Sequence, residues 1–172
     1  MRRLSRAAAA LLAAAALAAT GMAAARQLHD GRRYRGDRFT VAVPAGWHAA
    51  PAAGGRLVEL RGPAGLVRIA WQPRWGGDFA ALVDLARVVD GLQPGTRRLA
   101  DGPARPPGAL AGHRLVLLLP RGTRDRPGVP VRVAELRALG RDGTLWTVIA
   151  QAPDRGADAV RLDAVVASFR VR

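Results

Sequence analysis

The residues able to do chemistry in this chain are few, and their spacing limits what they can do. Downstream of residue 25 there is a single serine, Ser168. It lies at the end of an apolar helical pattern, with no Gly-x-Ser-x-Gly elbow to expose its hydroxyl, so serine hydrolase chemistry is not expected. Cysteine is absent, which removes disulfides, thiol nucleophiles and thiolate metal sites. The histidines are His29, His48 and His113. None has a second ligand two to four residues away, whereas metal sites want clustered ligands at helical or hairpin spacing; no metal is expected. Glu59 and Glu135 are the only glutamates, and both fall inside strand patterns. Each reads as a cleft acid or as the partner of a cross-strand arginine, with Arg68, Arg132 and Arg137 placed to serve. Threonine nucleophiles would need an activating base, and nothing in the spacing supplies one. Gly54-Gly55 and Gly76-Gly77 lack the spacing of a phosphate-cradling or dinucleotide loop, so no cofactor is expected.

Two stretches suit binding better than catalysis. In Trp71-Gln72-Pro73-Arg74-Trp75, Pro73 breaks the strand that contains Trp71. Trp75 then falls at the lip of the sheet beside Arg74, as a stacking or docking element; the alternative is that Trp75 packs under the following helix. The second stretch is the basic loop with Arg121, Arg124 and Arg126, which either contacts an anionic partner or is a solvated loop. The net charge of +14 is carried by arginine without lysine. An Ala-, Arg-, Gly- and Pro-rich composition without asparagine suggests a GC-rich genome, so much of this excess reads as codon bias. Its functional reading is an anionic partner such as membrane headgroups or an envelope polyanion.

These residues need a scaffold, and the chain spells one out. Met1 to Arg6 is a positive segment, Ala7 to Ala19 an Ala/Leu run, and Ala23-Ala24-Ala25 a small-residue cleavage site. This is the pattern of a secretory signal peptide over 1–25; the rival reading is an uncleaved anchor. Residues 26–35 read as a flexible basic leader, and 36–172 as one domain. Arg35-Gly36-Asp37 matches an integrin-binding tripeptide, a match too short to carry weight.

Phe39, Val41 and Val43 alternate with Arg38, Thr40 and Ala42, a strand with one buried face. Pro44 ends it, Gly46 permits a turn, and Trp47 folds back as a core plug. Arg56 to Arg61 and Leu66 to Gln72 form a hairpin. Asp78 caps a helix whose stripe is Phe79, Leu82, Val83, Ala86 and Val89. Strands are expected over 96–100, 113–119, 131–139 and 145–152, with Asp142-Gly143 as the turn of the last pair. Leu162, Val165, Val166 and Phe169 mark a closing helix. The expected fold is α+β: an antiparallel sheet of about six or seven strands with two amphipathic helices packed on it.

The Phe39-to-Trp47 strand and turn, the helix after the first hairpin, and the closing Ser168-Phe169-Arg170 together resemble the PsbP-like superfamily, including the LpqN-type and DcrB-type bacterial envelope proteins. The resemblance implies an α/β/α sandwich and a mostly non-enzymatic accessory or binding role, without catalytic residues to carry over. The lipid-anchor cysteine of the LpqN type is missing here. The functional expectation is an exported, non-enzymatic binding or accessory protein of the cell envelope, periplasmic or extracellular. Its partner would be an envelope protein or an anionic surface, with peripheral membrane contact compatible and no specific nucleic acid. The alternatives are a polyanion- or membrane-surface binder, and a hydrolase using Glu59 or Glu135 with His48 or His113. The oligomeric state is left open.

Overall fold

The computed structural model describes residues 32–52, 55–63, 65–91, 94–123 and 126–172. The signal-peptide pattern lies outside the described residues. No helix among those residues is long and apolar enough to cross a membrane.

The fold is α+β, with mostly antiparallel sheets and two helices. The main sheet has seven strands: β3 (His48–Pro51), β4 (Leu57–Arg61), β5 (Leu66–Gln72), β6 (Arg97–Pro103), β7 (Ala109–Leu119), β10 (Val131–Gly140) and β11 (Leu145–Pro153). They lie in the order β3-β4-β5-β11-β10-β7-β6. The β10–β11 hairpin turns as expected: Gly143 takes a positive φ of 75° and its N–H bonds the Gly140 carbonyl. A glycine tolerates that conformation without steric cost.

The strand that opens the domain does not join this sheet. β1 (Arg33–Arg35), β2 (Phe39–Ala42) and β12 (Arg170–Val171) form a separate three-stranded sheet with β2 in the middle. The stretch read as a leader therefore becomes ordered strand at Arg33, and a short strand follows the closing helix. The expected loop over 120–130 contains a further small hairpin, β8 (Gly122–Thr123) with β9 (Arg126–Pro127).

The core fills the space between the small sheet, α2 (Gly156–Ala167) and one face of the main sheet. Val58, Leu60, Val67, Ile69, Val148 and Ala150 are at most 2% exposed from the sheet side. Leu162, Val165 and Val166 meet them from α2. Phe39, Trp146 and Phe169 form a triangle of rings with centroids 5.3 to 5.8 Å apart, the spacing of favourable tilted aromatic contacts. Burial of each such large side chain stabilises by about 1.5–3 kcal/mol. Trp47 is buried in the same cluster. Ser168 stitches the layers: its hydroxyl accepts from the Ala42 N–H at 2.8 Å and donates to the Val165 carbonyl at 2.7 Å.

α1 (Phe79–Gly91) is capped as expected, Asp78 accepting from the N–H groups of Ala80 and Ala81. It lies apart from that interior. Val83 and Ala86 are its buried residues, while Leu82 is only half-buried and outside the main cluster. Val89, expected in the buried stripe, is 54% exposed, with Leu85 and Val88 beside it. The helix is apolar on more than one side, so its stripe was ambiguous from periodicity alone.

Candidate functional site

The second face of the main sheet carries the chain's polar machinery. Cross-strand pairing places Asp101, Leu115, Glu135, Ile149, Arg68 and Glu59 in one row, because side chains at paired positions share a face. Two residues along the strands, His113, Arg137, Thr147 and Ala70 form the next row.

One end of this face lies by α1. Arg87 reaches from the helix to Asp101, its Nε 3.0 Å and its terminal nitrogen 2.9 Å from the carboxylate oxygens. Asp101 also pairs with Arg98 at 3.1 Å and with His113 Nε2 at 2.7 Å. Arg87's terminal nitrogen lies 3.2 Å from the same Nε2; a protonated Nε2 donates to Asp101, and a bare one accepts from Arg87. The hydrogen bonds from Arg87 chiefly hold the Asp101 carboxyl below the usual carboxylate range, against the opposing effect of burial; in turn the Arg87 guanidinium is raised. Beside this node, Arg137 binds Glu135 at 2.6 Å, both side chains largely buried. Leu115, Leu117 and Leu119 form the apolar floor here.

The other end is open. Glu59 accepts from Arg68 Nε at 2.9 Å and from Arg61, and the bonds from Arg68 and then Arg61 hold its carboxyl below the ordinary range. Beyond them a cleft of about 420 Å³ is lined by Arg61, Leu66, Gln151 and Val131, with Thr123 of the β8–β9 hairpin at its rim. Such a volume is in the range of small-ligand sites. Between the two ends Ile149 is 37% exposed. A strip of half-open sheet thus runs from an ionic node to a cleft.

The residues singled out for binding are scattered across the molecule. Trp71 is half-buried on the opposite face, its ring 5.8 Å from Phe39 and 5.6 Å from Trp146. Trp75 is half-buried, and its N–H donates to the Gly143 carbonyl at 2.9 Å. Arg74 is exposed, in the left-handed region at φ 52°. No ring contact joins Trp71 and Trp75 among the described residues. Arg121 is exposed at the base of the β8–β9 hairpin; Arg124 lies outside the described residues, and Arg126 opens β9. That hairpin does border the cleft, through Thr123.

The acid and histidine candidates all fall on this one face. His113 and Glu135 lie diagonally on adjacent strands, while Glu59 and His48 sit toward the other edge. Two strands separate the glutamates, about 14 Å at ordinary strand spacing. Among the described residues no hydrogen bond joins a glutamate to a histidine, and no cluster of acids and histidines could hold a metal ion. Sequence reasoning missed Arg87 and Asp101, which approach His113 only once β6 pairs with β7. The cross-strand Glu59–Arg68 pair, by contrast, follows from the two strand patterns themselves.

No family model matches this chain, and no curated protein matches it. Solved structures do. LpqN of Mycobacterium tuberculosis, described as involved in cell envelope biogenesis, aligns with a TM-score of 0.57 at 16% identity, over 83% of this chain and 87% of that one. The Ran-binding protein Mog1p of Saccharomyces cerevisiae aligns with a TM-score of 0.50 at 11% identity, over 77% and 89%. A Bacteroides thetaiotaomicron protein aligns with a TM-score of 0.48 at 12% identity, over 78% of this chain, which spans 45% of that one. At these identities the likeness is one of fold.

Proposed function

We propose that this protein is an exported, non-catalytic binding or accessory domain of the bacterial cell envelope, built as a PsbP-like α/β/α sandwich. The observation that carries the reading is the half-open sheet face: α1 is tied over one end, while Ile149, Arg68, Gln151 and the adjoining cleft stay accessible. Solvent-facing antiparallel sheet normally presents polar side chains; here an exposed isoleucine sits among fixed arginines and a glutamine, a mixture suited to holding a polypeptide or glycan. The fold shared with LpqN, itself described as involved in envelope biogenesis, and the signal-peptide pattern support the location.

A hydrolase built on these groups has less behind it. The His113 Nε2 is taken by Asp101 and Arg87, and among the described residues no hydroxyl is hydrogen-bonded to this histidine. A base and its orienting acid without a nucleophile or a positioned water do not make an acyl-transfer site.

The test is saturable binding of the purified protein to isolated envelope fractions. Ile149→Glu and Arg68→Ala are expected to weaken it at least tenfold with the thermal melt preserved. Unchanged binding by both variants removes the sheet face as the site. A turnover activity abolished by His113→Ala would overturn the non-catalytic reading.

A further inference from the structure

The small sheet β1-β2-β12 has two unlike faces. Tyr34, Phe39, Val41 and Val171 point to the core. The other face carries Arg33, Arg35 and Arg170, all exposed. Arg35 and Arg170 both pair with Thr40, one from each side, and Arg33 lies two residues along β1. The three arginines therefore share one patch about two strand spacings, roughly 10 Å, across.

What sets them apart is that three unneutralised arginines share one strand face. Elsewhere some arginines lean on acids, Arg38 on Asp142, Arg68 on Glu59, Arg114 on Asp163 and Arg132 on Asp154, while others such as Arg74, Arg141 and Arg155 are exposed without an ion pair among the described residues. Among the described residues, Arg33, Arg35 and Arg170 have no ion-pair partner, and β1, β2 and β12 contain no acid. Arg33 is also fixed in place, donating to Thr40 Oγ1 at 3.1 Å and to the Ser168 carbonyl at 3.0 Å. Partial burial, then Arg170 and Arg35, pull its pKa down. A cation held close to like charges gains from any anion brought near.

We propose that this arginine face seats the protein on an anionic phospholipid surface. The patch is an open strand face without an apolar wedge, so it suits adsorption at headgroup level. Position favours a bilayer over a soluble polyanion. The chain reaches β1 through the N-terminal segment whose Ala7 to Ala19 run, a signal-peptide pattern, brings it to a membrane during export. The arginines thus stand where that segment leads into the fold. The β12 backbone is tied to the same layer, the Arg172 N–H bonding the Arg38 carbonyl at 2.8 Å. This inference stands independently of what the open main-sheet face holds.

The experiment measures partitioning of the full chain onto two vesicle types. One is pure phosphatidylcholine; the other has one part phosphatidylglycerol to two parts phosphatidylcholine. The neutral vesicles report any contribution of the apolar run. Each arginine near an anionic surface is worth about fivefold, so Arg33→Gln with Arg35→Gln and Arg170→Gln is expected to lower partitioning onto the anionic vesicles about a hundredfold at low salt. Binding to neutral vesicles should stay within twofold. Because Arg33 also holds the Ser168 carbonyl, the Arg35→Gln/Arg170→Gln pair, which leaves that bond intact, is expected to lose about thirtyfold. Equal charge removal elsewhere, Arg74→Gln with Arg141→Gln and Arg155→Gln, should change binding less than threefold. The proposal is overturned if that control loses as much as the arginine-face variants. It is also overturned if the pair leaves vesicle binding unchanged, or if the same arginines govern binding to a soluble polyanion such as heparin while anionic vesicles bind no better than neutral ones.

Discussion

Trp47 is clamped by the turn between β4 and β5, and a single methyl group should disturb it. A Cβ built at Gly62 would lie 2.1 Å from Trp47 Cε2, 2.3 Å from Nε1 and 2.4 Å from Cδ2. Carbon atoms pack favourably near 3.5 Å, so the indole must withdraw by about 1.4 Å. Its retreat is limited, since Gly65 lies against the far edge of the same ring, so near that even one added methyl group there would meet it at 2.9 Å. Gly62→Ala therefore either strains the site, at about 1–3 kcal/mol, or expels an indole that is 5% exposed, at about 3–5 kcal/mol. We expect a loss of about 3 kcal/mol in urea unfolding followed by circular dichroism, with a red shift in tryptophan emission if the ring leaves. The decisive measurement is a double-mutant cycle. In a Trp47→Ala background the new methyl group enters vacated space, and Gly62→Ala should cost less than about 1 kcal/mol, a coupling of at least about 2 kcal/mol. Additive losses within about 0.5 kcal/mol would refute the clamp.

Two further outcomes follow from the polar contacts. Asp101→Asn removes the carboxylate that joins α1, β6 and His113, and should cost about 1–2 kcal/mol near pH 6, discounted because Arg98 and Arg87 are partly solvated. The native carboxyl titrates below its unfolded value, so its contribution is present above about pH 4 and lost as pH falls through the native pKa. The gap in melting temperature between wild type and variant should therefore narrow on acidification, and a gap that widens would contradict the ionic origin. Ser168→Ala leaves the Ala42 N–H without its 2.8 Å acceptor and should destabilise by about 1–2 kcal/mol, read by chemical denaturation.

Much of this fold is written in local pattern. The alternation through Phe39, Val41 and Val43, the Asp142-Gly143 turn and the Leu162-Val165-Val166 stripe each specify their own element. Phe39, Trp47, Val165 and Phe169 share one interior as that pattern implies. Leu82 does not join them, because α1 sits on the other side of the sheet. What local pattern could not supply was pairing at long range. β3, His48-Ala49-Ala50-Pro51, has weak strand propensity and is held by its neighbour β4. Nothing local says that Phe39 and its neighbours leave the main sheet to pair with Arg170 and Val171. The site shows the same division. Glu59 with Arg68 was legible as a cross-strand pair, and Glu135 with Arg137 sits at i, i+2 on one strand face. The approach of Arg87, Asp101 and His113 depends on a β6–β7 register broken by a bulge between Arg98 and Ala100, which no local signal announces. Arg33 and Arg35 look like leader residues in sequence because Arg-Tyr-Arg carries only one apolar side chain.

The pairing of β12 with β2 also governs when the molecule can close. Phe39 is among the first side chains of the domain to be synthesised, and its ring partner Phe169 follows about 130 residues later. Until then one wall of the interior is missing, and Trp146 lacks its ring contact with Phe169. A chain of this design should stay slack and protease-sensitive through most of its synthesis and tighten in a late step, when the final strand clasps the early one.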